Sequence, residues 1–185
     1  MRFRADKATV EEVVAEMIEL NPHLTRERLM RRVDGVVDPK DASRVKGDVW
    51  WSHEGIKVLP ESIGDLTVGG SLSLRYNNLA TLPASFGSLT VGGCLNLSGN
   101  NLATLPASFG SLTVGGGLGL DSNNLATLPA SFGSLTVGGI LCLDENNLAT
   151  LPASFGSLQV GGEVGLCGNP MAAPRPHFDG LRIHY

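Results

Sequence analysis

The sequence predicts an α/β repeat solenoid, and three observations carry that prediction. The segment NNLATLPASFGSLTVGG recurs from Asn77, Asn100, Asn123 and Asn146 at a fixed period of 23 residues, with Gln159 in place of Thr as its one change. Between the copies lie six-residue inserts, SLSLRY, CLNLSG, GLGLDS and ILCLDE, with EVGLCG after the last; they share the frame x-L-x-L-x-x, Val164 once replacing the first Leu. Ahead of the array stands an apolar stripe with helical spacing. A unit this short cannot bury its apolar face alone, so its neighbours must stack on it.

The N-terminal segment, residues 1–44, reads as a helical cap. Thr9 with Glu12 three residues on is a capping box, and Val10, Val13, Val14, Met17, Ile18 and Leu20 follow as a helical stripe up to Asn21-Pro22. Thr25 starts a second expected helix, TRERLMRRVDG, with Leu29, Met30 and Val33 apolar and Gly35 as its stop. Arg26, Arg28, Arg31 and Arg32 make its outer side basic, which reads either as a solvated face or as a patch for an acidic partner. A solenoid needs such a cap because its terminal coil otherwise exposes its core.

Residues 45–171 form the array: a degenerate first repeat at 45–67, near-identical repeats over 68–159 and a truncated last one at 160–171. In each insert the period of two makes a strand whose leucines, such as Leu72 and Leu74 or Leu95 and Leu97, point inward while their neighbours point to solvent. Asn77, Asn100, Asn123, Asn146 and Asn169 recur where the chain leaves the strand, and their amides can satisfy backbone groups that a tight bend leaves unpaired. Pro83, Pro106, Pro129 and Pro152 suit the opening of a short helical turn. Phe86, Phe109, Phe132 and Phe155 are placed to stack as a spine on the convex side. In the first repeat Val49 and Trp51 take the core positions, and Ile63 takes the place of Phe. The tail, residues 172–185, is too short for another unit and is expected to fold over the last one as a cap.

LSLRYNNLATLP, LNLSGNNLATLP and their sister copies resemble leucine-rich repeats, whose hallmark is L-x-x-L-x-L-x-x-N-x-L. The continuation Leu-Pro-x-x-Phe-Gly-x-Leu is similar to the type common in bacterial and plant intracellular members. The resemblance implies a right-handed curved stack with a concave parallel sheet of about six strands, roughly 25 Å across at a strand spacing of about 4.8 Å. It also implies that the concave surface binds other proteins. One departure is systematic: Gly69, Gly92, Gly115, Gly138 and Gly161 stand where the family has its first Leu, each preceded by a Val that is expected to supply the missing core contact.

Composition excludes several function classes. The net charge is −4, with 42% apolar and 17% charged residues, and residues 46–169 carry three basic and eight acidic side chains, so nucleic acid is not an expected partner. No apolar run is long enough for a signal peptide or a membrane span, and cytoplasmic localisation is expected. Cys94, Cys142 and Cys167 are an odd number without a C-x-x-C pair, which points to a reducing compartment rather than to disulfides or zinc. No cofactor or metal is expected. The Gly-Gly pairs lack a P-loop Lys, and the nearest histidine to Cys167 is His177 in the tail, so no nucleophile and base stand in a recognisable frame.

Function is therefore sought in the outward positions of the strands, a grid with four rows. The rows are Asp48, Ser71, Cys94, Gly117, Ile140, Glu163; then Trp50, Ser73, Asn96, Gly119, Cys142, Gly165; then Ser52, Arg75, Ser98, Asp121, Asp144, Cys167; then His53, Tyr76, Gly99, Ser122, Glu145, Gly168. The candidate protein-binding residues are Trp50, His53, Arg75, Tyr76, Asn96, Asp121, Ile140, Asp144, Glu145 and Glu163. Aromatic and Arg side chains are enriched in binding hot spots. Asp121 and Asp144, one strand apart, repel unless something cationic or aqueous screens them, so a basic or amphipathic peptide is the expected ligand. The alternative is that these residues are solvent-facing and free to vary after recent duplication or consensus engineering. The competing functional class is a structural, self-associating building block or designed repeat scaffold.

Overall fold

Each repeat makes one coil: a two-residue strand, an Asn-held bend, an extended Leu-Pro run, one 3-10 turn and a second two-residue strand. A computed structural model describes residues 7–33, 37–173 and 175–185. The first strands of the coils stack into a concave sheet of seven members: Val49–Trp50, Leu72–Ser73, Leu95–Asn96, Leu118–Gly119, Leu141–Cys142, Glu163–Gly165 and Arg182–His184. All neighbours are parallel and in register, Leu72 beside Leu95 and Leu95 beside Leu118. The inward leucines and Trp51 are wholly buried.

The seventh strand comes from the tail. It runs parallel to Glu163–Gly165, with Val164 opposite Ile183, and the Leu166 N–H donates to the His184 carbonyl at 2.7 Å. The sequence led to about six strands because the tail carries no repeat. An uncovered last strand leaves a row of unpaired backbone groups, and the tail supplies partners for them.

A second sheet, not expected from the sequence, runs along the stack. It contains Val37–Asp38, Asp41–Val45, Thr67–Val68, Thr90–Val91, Thr113–Val114, Thr136–Val137 and Gln159–Val160, antiparallel at the first pair and parallel thereafter. Val68, Val91, Val114 and Val137 are buried, which supplies the core contact that the altered repeat frame requires. The Gly-Gly pair follows because coils meet here backbone to backbone. A Cβ on Gly92 would stand 2.3 Å from the Gly69 carbonyl oxygen, and the Gly92 N–H donates to Val68 O at 2.8 Å.

Inside the stack two ladders run its length. Phe86, Phe109, Phe132 and Phe155 are wholly buried, with successive centroids 6.0 to 6.1 Å apart and planes within 3 to 5°. Ile63 occupies the same core position at one end, and Phe178 from the tail closes the other at 5.3 Å. The Asn ladder joins each coil to the one before it. Asn100 Nδ2 donates to Leu74 O at 3.0 Å and to Leu97 O at 2.9 Å, while its Oδ1 accepts the Leu79 N–H at 3.1 Å.

The cap begins with helix α1, Val10–Leu20, whose capping box is complete: the Glu12 N–H donates to Thr9 Oγ1, and the Thr9 N–H to the Glu12 carboxylate. Val10, Val13, Val14 and Met17 are buried. Asn21 ties its end to the array, donating to Met17 O and Val58 O and accepting the Lys57 and Val58 N–H groups. Helix α2 is shorter than its sequence suggests, Arg26–Met30. The chain leaves it to meet the first concave strand, where Val33 bridges Val49 and the Trp50 N–H donates to Arg32 O at 2.7 Å. Gly35, its expected stop, lies outside the described residues. Among the described residues no helix is long and apolar enough to cross a membrane.

Candidate functional site: the concave face

The bend at the end of each concave strand sets the conformation of the last grid row. His53, Tyr76, Ser122 and Glu145 have φ of 58, 51, 53 and 52°, and Gly99 and Gly168 have 66 and 73°. All six copies thus sit in the left-handed region, where a side chain costs about 1 kcal/mol or more. Four copies nevertheless carry one.

Two of those four build an aromatic corner at the N-terminal end. The His53 and Tyr76 rings are 4.8 Å apart, tilted by 35°, and the Arg75 guanidinium lies 4.5 Å from the Tyr76 centroid, within cation–π range. Tyr76 rests on Gly99, where a Cβ would come within 2.3 Å of its ring. Tyr76 is 48% exposed; Trp50, on the first concave strand opposite Ser73, is 40% exposed. The corner is a preformed apolar surface topped by a cation.

At mid-sheet the grid is interrupted. Gly117 and Gly119 fill both outward positions of the fourth strand, and the missing side chains leave an open cleft of about 480 Å³. Cys94 and Asn96 form one wall, Ile140 and Cys142 the other, and Ser98 and Asp121 close one end. Ile140 is 51% exposed, a large apolar side chain standing at the rim.

The carboxylates next to this cleft are oriented by hydrogen bonds from opposite sides. Asp121 accepts the Ser98 hydroxyl at 2.5 Å, whereas Asp144 accepts the Cys167 N–H at 2.7 Å. They turn toward opposite neighbours along the stack, which relieves the repulsion expected between them. Glu145 accepts the Ser122 hydroxyl at 2.7 Å. Among the described residues no cationic side chain pairs with Asp121, Asp144 or Glu145. Burial, and then the charges of Asp121 and Asp144, raise the Cys142 thiol pKa above its ordinary value.

The ten candidate residues therefore separate into three places. His53, Arg75 and Tyr76 share the corner, and Trp50 stands on the first strand opposite Ser73. Asn96, Asp121 and Ile140 line the cleft, with Asp144 and Glu145 on the next strand. Glu163 stands apart at the far edge, where His184 Nε2 of the tail strand lies 3.3 Å from its carboxylate. Asn96 is half engaged, its Oδ1 accepting the Ser98 N–H at 2.9 Å.

Several contributors were not singled out as candidates from the sequence. Cys94, Ser98, Gly117, Gly119 and Cys142 shape the cleft, and their signal was the insert GLGLDS, with glycine at both outward positions of its strand. Part of the first grid row is structural: Asp48 accepts the Ser71 N–H, Ser71 Oγ the Cys94 N–H, and Cys94 Sγ the Gly117 N–H. The arginines of the cap are also engaged rather than free. Arg26 pairs with Glu11 at 2.6 Å and Arg31 with Glu27. Arg28 and Arg32 both reach the wholly buried carboxylate of Glu54, Arg32 at 2.7 Å.

A stack of coils with a parallel concave sheet, a buried Asn ladder and leucines at fixed phase is a leucine-rich repeat fold. The Leucine Rich Repeat family model matches residues 94–112. Among solved structures the chain is similar to YopM from Yersinia enterocolitica, with a TM-score of 0.55 and 20% identity over 92% of this chain and 41% of that one. A leucine-rich repeat protein of Leptospira interrogans aligns with a TM-score of 0.49 and 21% identity, over 88% of this chain and 53% of that one. The chain thus spans about half the length of these structures or less. No curated protein matches its sequence significantly.

Proposed function

We propose that the chain is a non-enzymatic recognition module that binds a protein or peptide on its concave face, in a reducing, cytoplasmic setting. The observation that carries this reading is the cleft at Gly117 and Gly119. An apolar depression with an exposed Ile140 at its rim, and alongside it carboxylates with no cationic partner among the described residues, offers both burial and orientation to a ligand. The preformed corner of His53, Arg75 and Tyr76, with the exposed Trp50 on the first strand, adds aromatic area, the kind that dominates interface energetics. The acidity of the repeat body argues against nucleic acid and for a basic or amphipathic partner. In the tail, His177 Nε2 lies 3.4 Å from the Asp179 carboxylate.

The test is affinity capture by the intact chain beside Trp50→Ala, Tyr76→Ala and Asp144→Lys, each checked for folding by circular dichroism. A partner bound at this face is weakened by these changes; one held equally by all three variants sinks the assignment. Light scattering over a range of concentrations separates this reading from a self-associating building block, which grows in mass as concentration rises.

A further inference from the structure

We infer that the ligand of this face is an extended peptide laid across the strands, presenting an acidic, an apolar and a basic residue in that spatial order from the aromatic corner to the fifth strand. This inference rests on the concave-face reading above and specifies its ligand.

Three features in sequence across the sheet carry it. Just past the second strand Arg75 is exposed, and the one contact of its guanidinium among the described residues is the Tyr76 ring. No carboxylate among the described residues neutralises it. On the fourth strand is the apolar cleft over Gly117 and Gly119. Asp121 at its end and Asp144 and Glu145, just past the fifth strand, are carboxylates whose described side-chain partners are neutral donors alone. Unneutralised cation, apolar seat and unneutralised anions thus lie along one direction. A ligand with the complementary order gains at all three, whereas a uniformly charged one meets repulsion at one end.

Strand spacing fixes the ligand's register. From the second to the fourth strand is about 10 Å, which three residues of extended chain span, and the fifth strand is about 5 Å farther, one or two residues on. The expected pattern is acidic-x-x-apolar-x-basic, read along the peptide in either direction. The cleft accepts a branched aliphatic side chain between Ile140 and Cys94, and the long arm of Arg or Lys lets its charge reach Asp144 while its backbone stays over the sheet.

The probes are two fluorescein-labelled nonapeptides, GDSSLSRSG and the reversed order GSRSLSSDG, titrated by fluorescence anisotropy at low and at moderate salt. One of the two is expected to bind, to weaken with salt, and to lose at least about fivefold in affinity when its Leu is replaced by Ser. Gly117→Val fills the cleft with a strand-favouring residue whose Cβ has one tight contact, the Ile140 carbonyl oxygen at 3.2 Å, and ordinary contacts with Ile140 N at 3.7 Å and Cys94 Sγ at 3.9 Å; it is expected to abolish binding while thermal stability falls only slightly. Arg75→Glu is expected to weaken binding about tenfold, and replacing the peptide's Asp by Lys to restore it to that variant alone. Binding of neither peptide, or binding indifferent to Gly117→Val and to the charge exchange, overturns the inference. If captured partners nonetheless respond to Trp50→Ala and Tyr76→Ala, the concave face stands and only the ordered-peptide reading falls.

Discussion

Glu54 holds the place in its coil that Asn77 holds in the next, and Asn77 Oδ1 accepts the Glu54 N–H at 3.0 Å. Every later copy of that position is the ladder Asn, whose amide serves backbone groups of its own coil and of the preceding one. The first coil has no preceding repeat. Its carboxylate turns instead to the cap, where Arg28 and Arg32 approach its two oxygens, neither of which accepts an aligned hydrogen bond. The cap is thus fastened to the array by charge at the point where the Asn ladder ends.

This arrangement predicts an asymmetry between partners. The Glu54 side chain is wholly buried, whereas Arg28 and Arg32 are about half exposed, at 48 and 47%. Removing both guanidinium groups, as in Arg28→Met with Arg32→Met, strands a buried charge and is expected to cost about 3 kcal/mol or more. Glu54→Gln leaves the arginines free to rehydrate, and its expected cost is smaller, about 1 to 2 kcal/mol. Urea unfolding of the two variants measures the difference; equal costs would mean that the carboxylate is not the buried partner of the pair.

Legibility in the sequence followed repetition. Leu95, Phe109 and Asn100 were assigned core, spine and ladder positions because a residue repeated in phase must do the same job in each coil. The second sheet was missed because strands as short as Thr90–Val91 hold no full period of two. The tail strand was missed because Arg182, Ile183 and His184 offer one apolar residue and no repeat. At the site, Trp50, Tyr76, Asp121 and Asp144 were visible as chemical side chains. The cleft was not, because it is made of side chains that are absent, at Gly117 and Gly119.

Glu61 gives the array an acid-sensitive joint. Its carboxylate accepts the Ala84 and Ser85 N–H groups at 3.2 and 3.0 Å, so it caps the 3-10 turn of the following coil. Burial works to raise its pKa, but the bonds from the Ser85 N–H and hydroxyl and the Ala84 N–H outweigh it, and the value falls below 4.5. A carboxyl lowered on folding stabilises fully above its unfolded pKa and loses that contribution as pH falls through the folded one. Stability is therefore expected to drop below about pH 4.5, and the drop is expected to be shallower in Glu61→Gln. Thermal unfolding of both proteins between pH 6 and pH 3 checks this, and parallel profiles would remove Glu61 from the account.

The left-handed bends make opposite predictions for two neighbouring copies of one position. Gly99→Ala adds a Cβ at φ 66° and drives it to 2.3 Å from the Tyr76 ring, so it is expected to lose about 2 kcal/mol and to displace the aromatic corner. Ser122→Gly relieves the same backbone strain at φ 53° and gives up one exposed hydrogen bond to Glu145. Its expected effect is a gain of about 0.5 kcal/mol, the glycine's greater freedom in the unfolded chain offsetting part of the relief. Chemical denaturation of both variants is the measurement. A loss at Ser122→Gly as large as that at Gly99→Ala would show that the bend does not store strain.

Two of the three cysteines, Cys94 and Cys142, report on the cleft from inside it. Cys94 and Cys167 are exposed, whereas Cys142 is half-buried in the wall, and its thiolate is disfavoured first by burial and then by the charges of Asp121 and Asp144. Since the thiolate is the nucleophile, Cys142 is expected to alkylate last with iodoacetamide at neutral pH. Asp144→Asn removes one of the two opposing charges, lowers the thiol's pKa and is expected to speed the reaction at Cys142 severalfold, with Cys94 little changed. Peptide mass spectrometry after timed quenching resolves the three sites. An unchanged Cys142 rate in Asp144→Asn would show that the carboxylate's field does not reach the cleft wall, and a ligand's cation would then gain little from Asp144 there.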